Sequence, residues 1–248
     1  MEHAYGSRFM HYTDRSSRHS ARTLIHLLRE ALPIASALDV GCARGTWLQA
    51  WREAGVEDVF GVDGDYVDRS TLHIPSDRFR AADLAHPIDL GRRFDLVQSL
   101  EVAEHVRADA ADGFVDNLVR HSRGLVLFSA APPGQGGEFH VNEQPYDYWR
   151  RKFDAHGFTA FDWLRPLIAD DRHISFWYRY NTLLYVHRDS VESLPERVRV
   201  ARIDDNARIA DIAPAWFRLR KALVRLLPHD AREALARGKA WLSRAPTQ

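Results

Sequence analysis

Apolar positions along the chain switch period several times. Leu24, Leu27, Leu28 and Ala31 recur at helical spacing within Ala21–Leu32, and Pro33 ends that pattern. The short run Ala37–Val40 predicts a strand, Thr46–Ala54 a helix and Val56–Val62 a second strand. A turn rich in Asp and Gly follows, then a weak strand near Phe79–Ala81. Phe94–Leu100 and Gly124–Phe128 read as buried strands on either side of an amphipathic helix over Ala108–His121. Short apolar strands alternating with helices predict an α/β fold whose mostly parallel sheet is covered on both faces.

The stretch Ser129–Glu143 contains Pro132-Pro133-Gly134-Gln135-Gly136-Gly137, which can be neither helix nor central strand and is a candidate lid. Beyond it the pattern predicts a helix over Tyr146–His156, an extended segment over Phe158–Leu164 and a last strand over Asn181–His187. The α/β domain is therefore expected to span residues 1–189. Residues 190–248 are rich in Arg and Ala, with helical pieces at Trp216–Leu227 and Ala231–Leu242 bounded by Pro214 and Pro228. They are expected to form a helical appendage. No internal repeat is present.

Composition narrows the partners. The 248 residues carry a formal net charge of +0, so neither nucleic acid nor an anionic membrane is expected as an obligatory partner, and a small or neutral substrate fits better. The N-terminus has no basic start followed by an apolar region, and no stretch reaches the roughly 18 apolar residues that span a bilayer. A soluble, unexported, cytoplasmic protein is expected. The single cysteine, Cys42, excludes an internal disulfide and a cysteine-based zinc cluster. A homodimer is left open.

Candidate chemistry begins at Asp39-Val40-Gly41-Cys42-Ala43-Arg44-Gly45, directly after the first strand. Open α/β sheets bind ligands beyond the carboxyl ends of their strands, where glycines let backbone approach a cofactor. Gly41 and Gly45 stand where that is needed, and the helix from Thr46 can turn its N-terminal amides to the ligand. Asp63, about 20 residues on, ends the second strand before Gly64, where an acid can accept ribose hydroxyls. Nicotinamide enzymes use the same device, so Asp63 alone does not choose the cofactor and a nicotinamide-binding protein stays as a fallback. Tyr66 and Val67 suit an adenine sandwich or core packing equally.

Glu101, Glu104 and His105 follow the fourth strand. If a helix starts there, their spacing puts all three on one face, able to converge on a divalent cation. Two other readings stay open: His105 or His140 as general base with an acid orienting the imidazole, or a structural role with Glu104 capping a helix. Asn142 and Glu143, beside His140, can bring polar groups over the site with the loop. Tyr146, Tyr148, Trp149, Trp177, Tyr178 and Tyr180 are either a substrate wall or core. His3, His11, His19 and His26 show no partner pattern and are expected at the surface.

From about Ala37 to Val186 the chain resembles a bacterial branch of the class I S-adenosylmethionine-dependent methyltransferases. The resemblance rests on Leu38-Asp39-Val40-Gly41-Cys42, Gly61-Val62-Asp63-Gly64-Asp65-Tyr66-Val67, Ser99-Leu100-Glu101-Val102-Ala103-Glu104-His105, Phe128-Ser129-Ala130-Ala131 and His140-Val141-Asn142-Glu143-Gln144. It implies a Rossmann-like sheet with an antiparallel final strand, and S-adenosylmethionine bound around Asp39, Gly41, Cys42, Gly45, Asp63, Gly64, Asp83, Leu84 and Ser99. Asp83 would bind the adenine amino group. Ala43 stands where the family's middle glycine is usual, which is tolerable if its φ stays negative. Glu101, Glu104 and His105 also resemble the Glu-x-x-Glu-His ligands of ubiquinone-pathway O-methyltransferases and small-RNA 2′-O-methyltransferases, whose downstream histidine His140 could match. That likeness implies Mg2+ or another divalent cation. The resulting expectation is O-methylation of a small-molecule hydroxyl, on a sugar, glycan or secondary metabolite. The alternatives are an RNA 2′-O-methyltransferase using the Arg-rich tail and a non-catalytic S-adenosylmethionine-binding interaction protein.

Overall fold

The computed structural model describes residues 7–227, with side chains from residue 17 onward. The helix expected over 231–242 and His3 lie outside the described residues, as does the His11 side chain. The elements run α1 (Ser7–Ala31), β1 (Ser36–Val40), α2 (Thr46–Glu53), β2 (Asp58–Asp63), β3 (Phe79–Ala81), β4 (Leu96–Leu100), α3 (Ala111–Arg120) and β5 (Leu125–Ser129). They continue with α4 (Tyr146–Ala155), β6 (Phe158–Phe161), α5 (Leu164–Ile168), α6 (Phe176–Asn181), β7 (Leu183–His187), α7 (Glu196–Arg199) and α8 (Ala215–Arg225).

The seven strands form one sheet in the order β3-β2-β1-β4-β5-β7-β6. β1 pairs in parallel with β2 on one side and with β4 on the other, while β7 runs antiparallel to both β5 and β6. The chain thus reverses its winding between β1 and β4, and the crevice beyond their carboxyl ends is where such sheets take ligands. This is the Rossmann-like arrangement expected from the sequence, including the antiparallel strand.

Alternation within the strands divides the core in two. Leu127 of β5 joins Leu24, Leu28, Trp47 and Trp51 from α1 and α2 on one face. Val126 and Phe128 join Phe114, Leu118, Trp149 and Phe153 from α3 and α4 on the other. β1 and β4 are buried along their whole length, the polar side chains of Ser36, Asp39, Gln98 and Ser99 included. Of the aromatic residues that could have formed a substrate wall, Tyr146, Trp149, Tyr178 and Tyr180 are buried, and Tyr148 and Trp177 half-buried.

Several element boundaries differ from the pattern-based expectation for identifiable reasons. α1 begins at Ser7, far ahead of Ala21. Its polar residues meet polar partners: Ser17 Oγ lies 2.9 Å from the Tyr178 hydroxyl, Ser20 Oγ accepts from Ser175 N at 3.1 Å, and His19 Nε2 reaches Asp171 Oδ2 at 3.2 Å. Hydrophobic periodicity cannot register a face built from hydrogen bonds. Phe94 is no part of β4 and instead bridges to Ser122. Leu164 starts α5 rather than ending an extended segment, and Asn181 closes α6 rather than opening the last strand.

After β7 the chain stays on the core. Asp162 N donates to Ala201 O and Ile203 N to Ala160 O, each at 2.9 Å, and Val198 is fully buried. Arg165, also fully buried, is held by Asp162 in a two-pronged pair at 2.7 Å and donates to the carbonyls of Tyr180 and Ala210 at 3.0 Å. A buried guanidinium persists only when its donors are met in this way. Among the described residues, no helix is long and apolar enough to cross a membrane.

Candidate active site

The loop after β1 is drawn tightly over the end of β2. Gly41 N and Cys42 N both donate to Val62 O, at 2.8 and 3.2 Å. Gly41 has a φ of +87°, and a Cβ there would sit 2.4 Å from Val102 Cγ2, so only glycine lets this loop touch the segment that follows β4. Ala43 departs from expectation: its φ is +48°, not negative. A left-handed alanine costs about 1–2 kcal/mol, offset here by its amide, which donates to Asp63 Oδ2 at 2.6 Å. α2 then starts from a left-handed Gly45 with no side-chain cap on its first amides.

Asp63 is buried. Its Oδ1 accepts from Gly64 N at 2.7 Å and from the Tyr66 hydroxyl. Burial raises its pKa, and the Tyr66 hydroxyl with the two amides pulls it back. Asp39, beneath the same loop, is pushed up to about 8 by burial, with the Gln98 amide opposing and the Asp63 charge adding to the shift. The Cys42 thiol is held well above its ordinary value by burial and by both carboxylates, which removes it as a nucleophile. Ser99 is buried and spends its hydroxyl on Val40 O at 2.7 Å. Asp83 stands exposed after β3, accepting from Ala85 N and paired with His86 Nδ1, each at 2.9 Å, while Leu84 is half-buried beside it. Left-handed glycines, the N-terminus of α2 and a buried acid at the tip of β2 together fit a nucleoside cofactor carrying a polar amino-acid end.

Across the crevice, Glu101 does not begin an α-helix. Its φ is +57°, Val102 follows at φ −123° and ψ −42°, and only Ala103–His105 turn, as a single 3-10 turn. The shared helix face expected for Glu101, Glu104 and His105 therefore does not form. Glu101 is held separately: Gln135 Nε2 donates to its Oε2 at 2.8 Å and Asn181 Nδ2 to its Oε1 at 3.1 Å. Asn181 also donates to Gln135 Oε1 at 2.9 Å and accepts from the Tyr146 hydroxyl at 2.9 Å. Burial raises the Glu101 carboxyl, and these amides partly reverse the shift.

Glu104, His105 and His140 do come together, one ligand-type atom from each lying within 4.8 Å of the others. Glu104 is almost fully buried, and its Oε2 has no hydrogen-bond partner. Burial, with the Glu101 charge adding, drives its carboxyl well above the usual range. Its main-chain oxygen accepts from Val141 N and Asn142 N at 2.9 Å, which fastens the end of the candidate lid to the site. His105 donates from Nδ1 to Phe139 O at 3.2 Å. Burial and His140 depress its pKa to about 3, so its ring is neutral with the lone pair on Nε2. The rings of His105 and His140 meet edge to face, 4.9 Å between centroids.

His140 faces two acids. Nδ1 lies 2.9 Å from Glu143 Oε1, and Nε2 lies 4.0 Å from Glu104 Oε1. Glu143 also accepts from the amides of Gly134 and Gly136 at 2.8 and 2.7 Å. Its pKa is lowered: burial opposes this, and the His140 hydrogen bond and charge with the two amides prevail. A carboxylate can only accept, so the His140 proton sits on Nδ1 and its Nε2 points toward Glu104. The supporting amides of Gln98, Gln135 and Asn181 carry no motif that sequence reading could have caught, while Tyr66, which the sequence left between an adenine sandwich and core packing, gives its hydroxyl to Asp63.

Among curated protein sequences, none matches the chain significantly. Solved structures do match in fold. S-adenosylmethionine-bound magnesium protoporphyrin IX methyltransferase from Synechocystis is 20% identical with a TM-score of 0.51, over 74% of this chain and 87% of that one. The S-adenosylmethionine-bound amino pentose methyltransferase from Micromonospora echinaspora is 18% identical with a TM-score of 0.53, over 75% and 99%. An O-methyltransferase family protein from Burkholderia thailandensis is 13% identical with a TM-score of 0.53, over 74% and 61%. Residues 8–179 match the family described as a methyltransferase domain. With that match on this sheet order and this loop, the chain belongs to the class I S-adenosylmethionine-dependent methyltransferases and is an enzyme of that class.

Proposed function

We propose that the enzyme methylates a hydroxyl oxygen of a small molecule, a sugar, glycan or secondary metabolite, with His140 as general base. The observation that carries this reading is the His140–Glu143 pair at 2.9 Å, which leaves Nε2 as the basic nitrogen on the side of Glu104 and His105. S-adenosylmethionine supplies an electrophilic methyl group on a sulfonium. His140 Nε2 takes the hydroxyl proton as the oxygen forms its bond to carbon, and the electrons of the breaking carbon–sulfur bond go to sulfur. Glu143 fixes the ring and stabilises its positive charge. Glu101, immobilised by Gln135 and Asn181, orients the acceptor through hydrogen bonds. Asp63 receives the ribose hydroxyls, the Gly41–Gly45 loop and the start of α2 cradle the amino-acid end, and Asp83 reaches the adenine edge.

One observation favours a metal-assisted variant of the same reaction. Glu104, whose Oε2 has no hydrogen-bond partner, lies with two imidazoles, and a carboxylate with two imidazoles suits a divalent cation. Glu104, His105 and His140 would hold it, and a bound cation lowers the pKa of a hydroxyl it contacts. Labelled S-adenosylmethionine with paired hydroxyl and amino acceptors tests the proposal. Label on the hydroxyl member of each pair is expected. Label confined to amino acceptors would overturn it, and activity lost in EDTA and restored by Mg2+ or Mn2+ would select the metal-assisted form.

A further inference from the structure

The Gly-rich loop over the site does not close on the catalytic side chains alone. Its outer side is gripped by α8, contributed by a segment more than 80 residues downstream. Arg225 Nε donates to Pro133 O at 2.7 Å and Arg220 donates from its guanidinium to Gln135 O at 3.0 Å. Between those two carbonyls, Gly134 turns with a φ of +83°, and a Cβ on it would sit 2.2 Å from Lys221 O. The two backbones are in direct contact there, which no side chain at position 134 would permit.

α8 is itself anchored. Phe217 is buried against Phe176 at 4.9 Å between ring centroids, and Lys221, 2% exposed, is paired with Asp211 at its inner side. Phe176 begins α6 and Asn181 ends it. Both amides that hold Glu101 therefore come from pieces that α8 packs against: Gln135 from the loop and Asn181 from α6. Gln135 is only 3% exposed, so its side chain is directed inward to Glu101 while its carbonyl is held from outside by Arg220.

We infer that Arg220, seconded by Arg225, is a positioning residue for Glu101, acting through Gln135 and fixing the loop in its catalytic shape. A guanidinium donating to a carbonyl forms a charge-assisted bond, stronger than the water contact the carbonyl would otherwise make. Without it, the Pro132–Gly137 turn keeps its Glu143 contacts on the inner side but loses its outer restraint, and Gln135 no longer delivers its amide to a single place. The assignment of Glu101 to the acceptor rests on the function proposed above; the restraint of the loop by α8 does not.

The test uses the full chain with Arg220→Met, Arg225→Met and Arg220→Lys. Hydrogen exchange at the amides of Gly134 and Gly136 is expected to accelerate roughly tenfold or more in the two methionine variants, with exchange in β4 and β5 and affinity for S-adenosylhomocysteine unchanged. With any acceptor that is turned over, kcat is expected to fall about 10- to 100-fold in Arg220→Met while KM for S-adenosylmethionine holds, and Arg220→Lys to recover much of it. Unchanged exchange in the loop overturns the inference, even if the enzyme is active as proposed. Faster exchange with undiminished kcat also overturns the link to Glu101. Faster exchange in an enzyme that methylates only amino acceptors supports the restraint and sinks the hydroxyl reading instead.

Discussion

The Nδ1 atom of His140 lies 2.9 Å from Oε1 of Glu143, and the same carboxylate accepts the amides of Gly134 and Gly136. One acid thus sets the tautomer of the proposed base and pins the turn of the loop above it. His140→Ala is expected to lower kcat by about 10²–10⁴ with S-adenosylmethionine binding intact. Glu143→Gln keeps a side chain able to accept from the imidazole but removes the charge that stabilises its protonated form, so a smaller fall of about tenfold or more is expected. Steady-state rates with calorimetric cofactor binding separate the two effects. A His140→Ala enzyme of undiminished kcat would remove the base from the scheme.

Asp63 is the hinge of the cofactor cradle, because its two oxygens already tie Ala43 and Gly64. Asp63→Asn exchanges an acceptor for a donor opposite those amides. Loss of one charge-assisted contact is worth about 1.5–3 kcal/mol, so S-adenosylhomocysteine affinity is expected to fall by about 10- to 100-fold in calorimetry. Affinity within twofold of the parent would mean that the ribose binds elsewhere.

Asp39 offers a stability effect with a definite sign. Burial raises its pKa from 3.8 to about 8, so the folded state holds a proton that the unfolded chain releases. Its contribution is fully present below pH 3.8, declines as pH rises and is gone once pH passes about 8. Asp39→Asn removes the ionisation. If about 2 kcal/mol of that cost is relieved, the variant should melt about 4–8 °C higher than the parent at pH 8. The gap should shrink toward pH 4.5. Thermal melts across that range check the sign; a gap that widens toward acid would contradict it.

What the sequence made legible, and what it hid, follows from the kind of interaction at each position. The sheet was visible because β1, β4 and β5 are buried on both faces almost throughout and so draw most of their residues from the apolar set. The stretch of α1 just ahead of Ala21 was hidden because Ser17, His19 and Ser20 bond to partners more than 150 residues away. At the site, the chemical types of Glu104, His105 and His140 marked them, yet their convergence comes from a loop return and not from helical spacing. The left-handed φ of Glu101 and of Ala43 left no trace in residue type, since neither is a glycine. Gln135 and Asn181 are ordinary amides, 34 and 80 residues from the carboxylate they hold, and only the fold joins them.

Glu104 decides whether the site takes a cation. Its Oε2 is buried without a partner and its carboxyl is driven strongly toward the neutral form, with Glu101 and Glu143 adding to the effect of burial. Two states relieve such a group: a proton or a cation. If a cation binds, it stabilises the folded chain by mass action, about 2.7 kcal/mol at a hundredfold excess over its dissociation constant. Thermal melts with Mg2+, Mn2+ or Zn2+ should then rise for the parent and stay flat for Glu104→Gln, which keeps the shape and the neutral charge but binds metal poorly. His19, Asp171 and His173 also present ligand-type atoms within 4.8 Å at the surface, so His19→Ala serves as the control background. A rise that survives Glu104→Gln but disappears in His19→Ala would assign the cation to that surface cluster. No rise in the parent with any of the three metals would leave Glu104 as a buried, protonated acid beside His140.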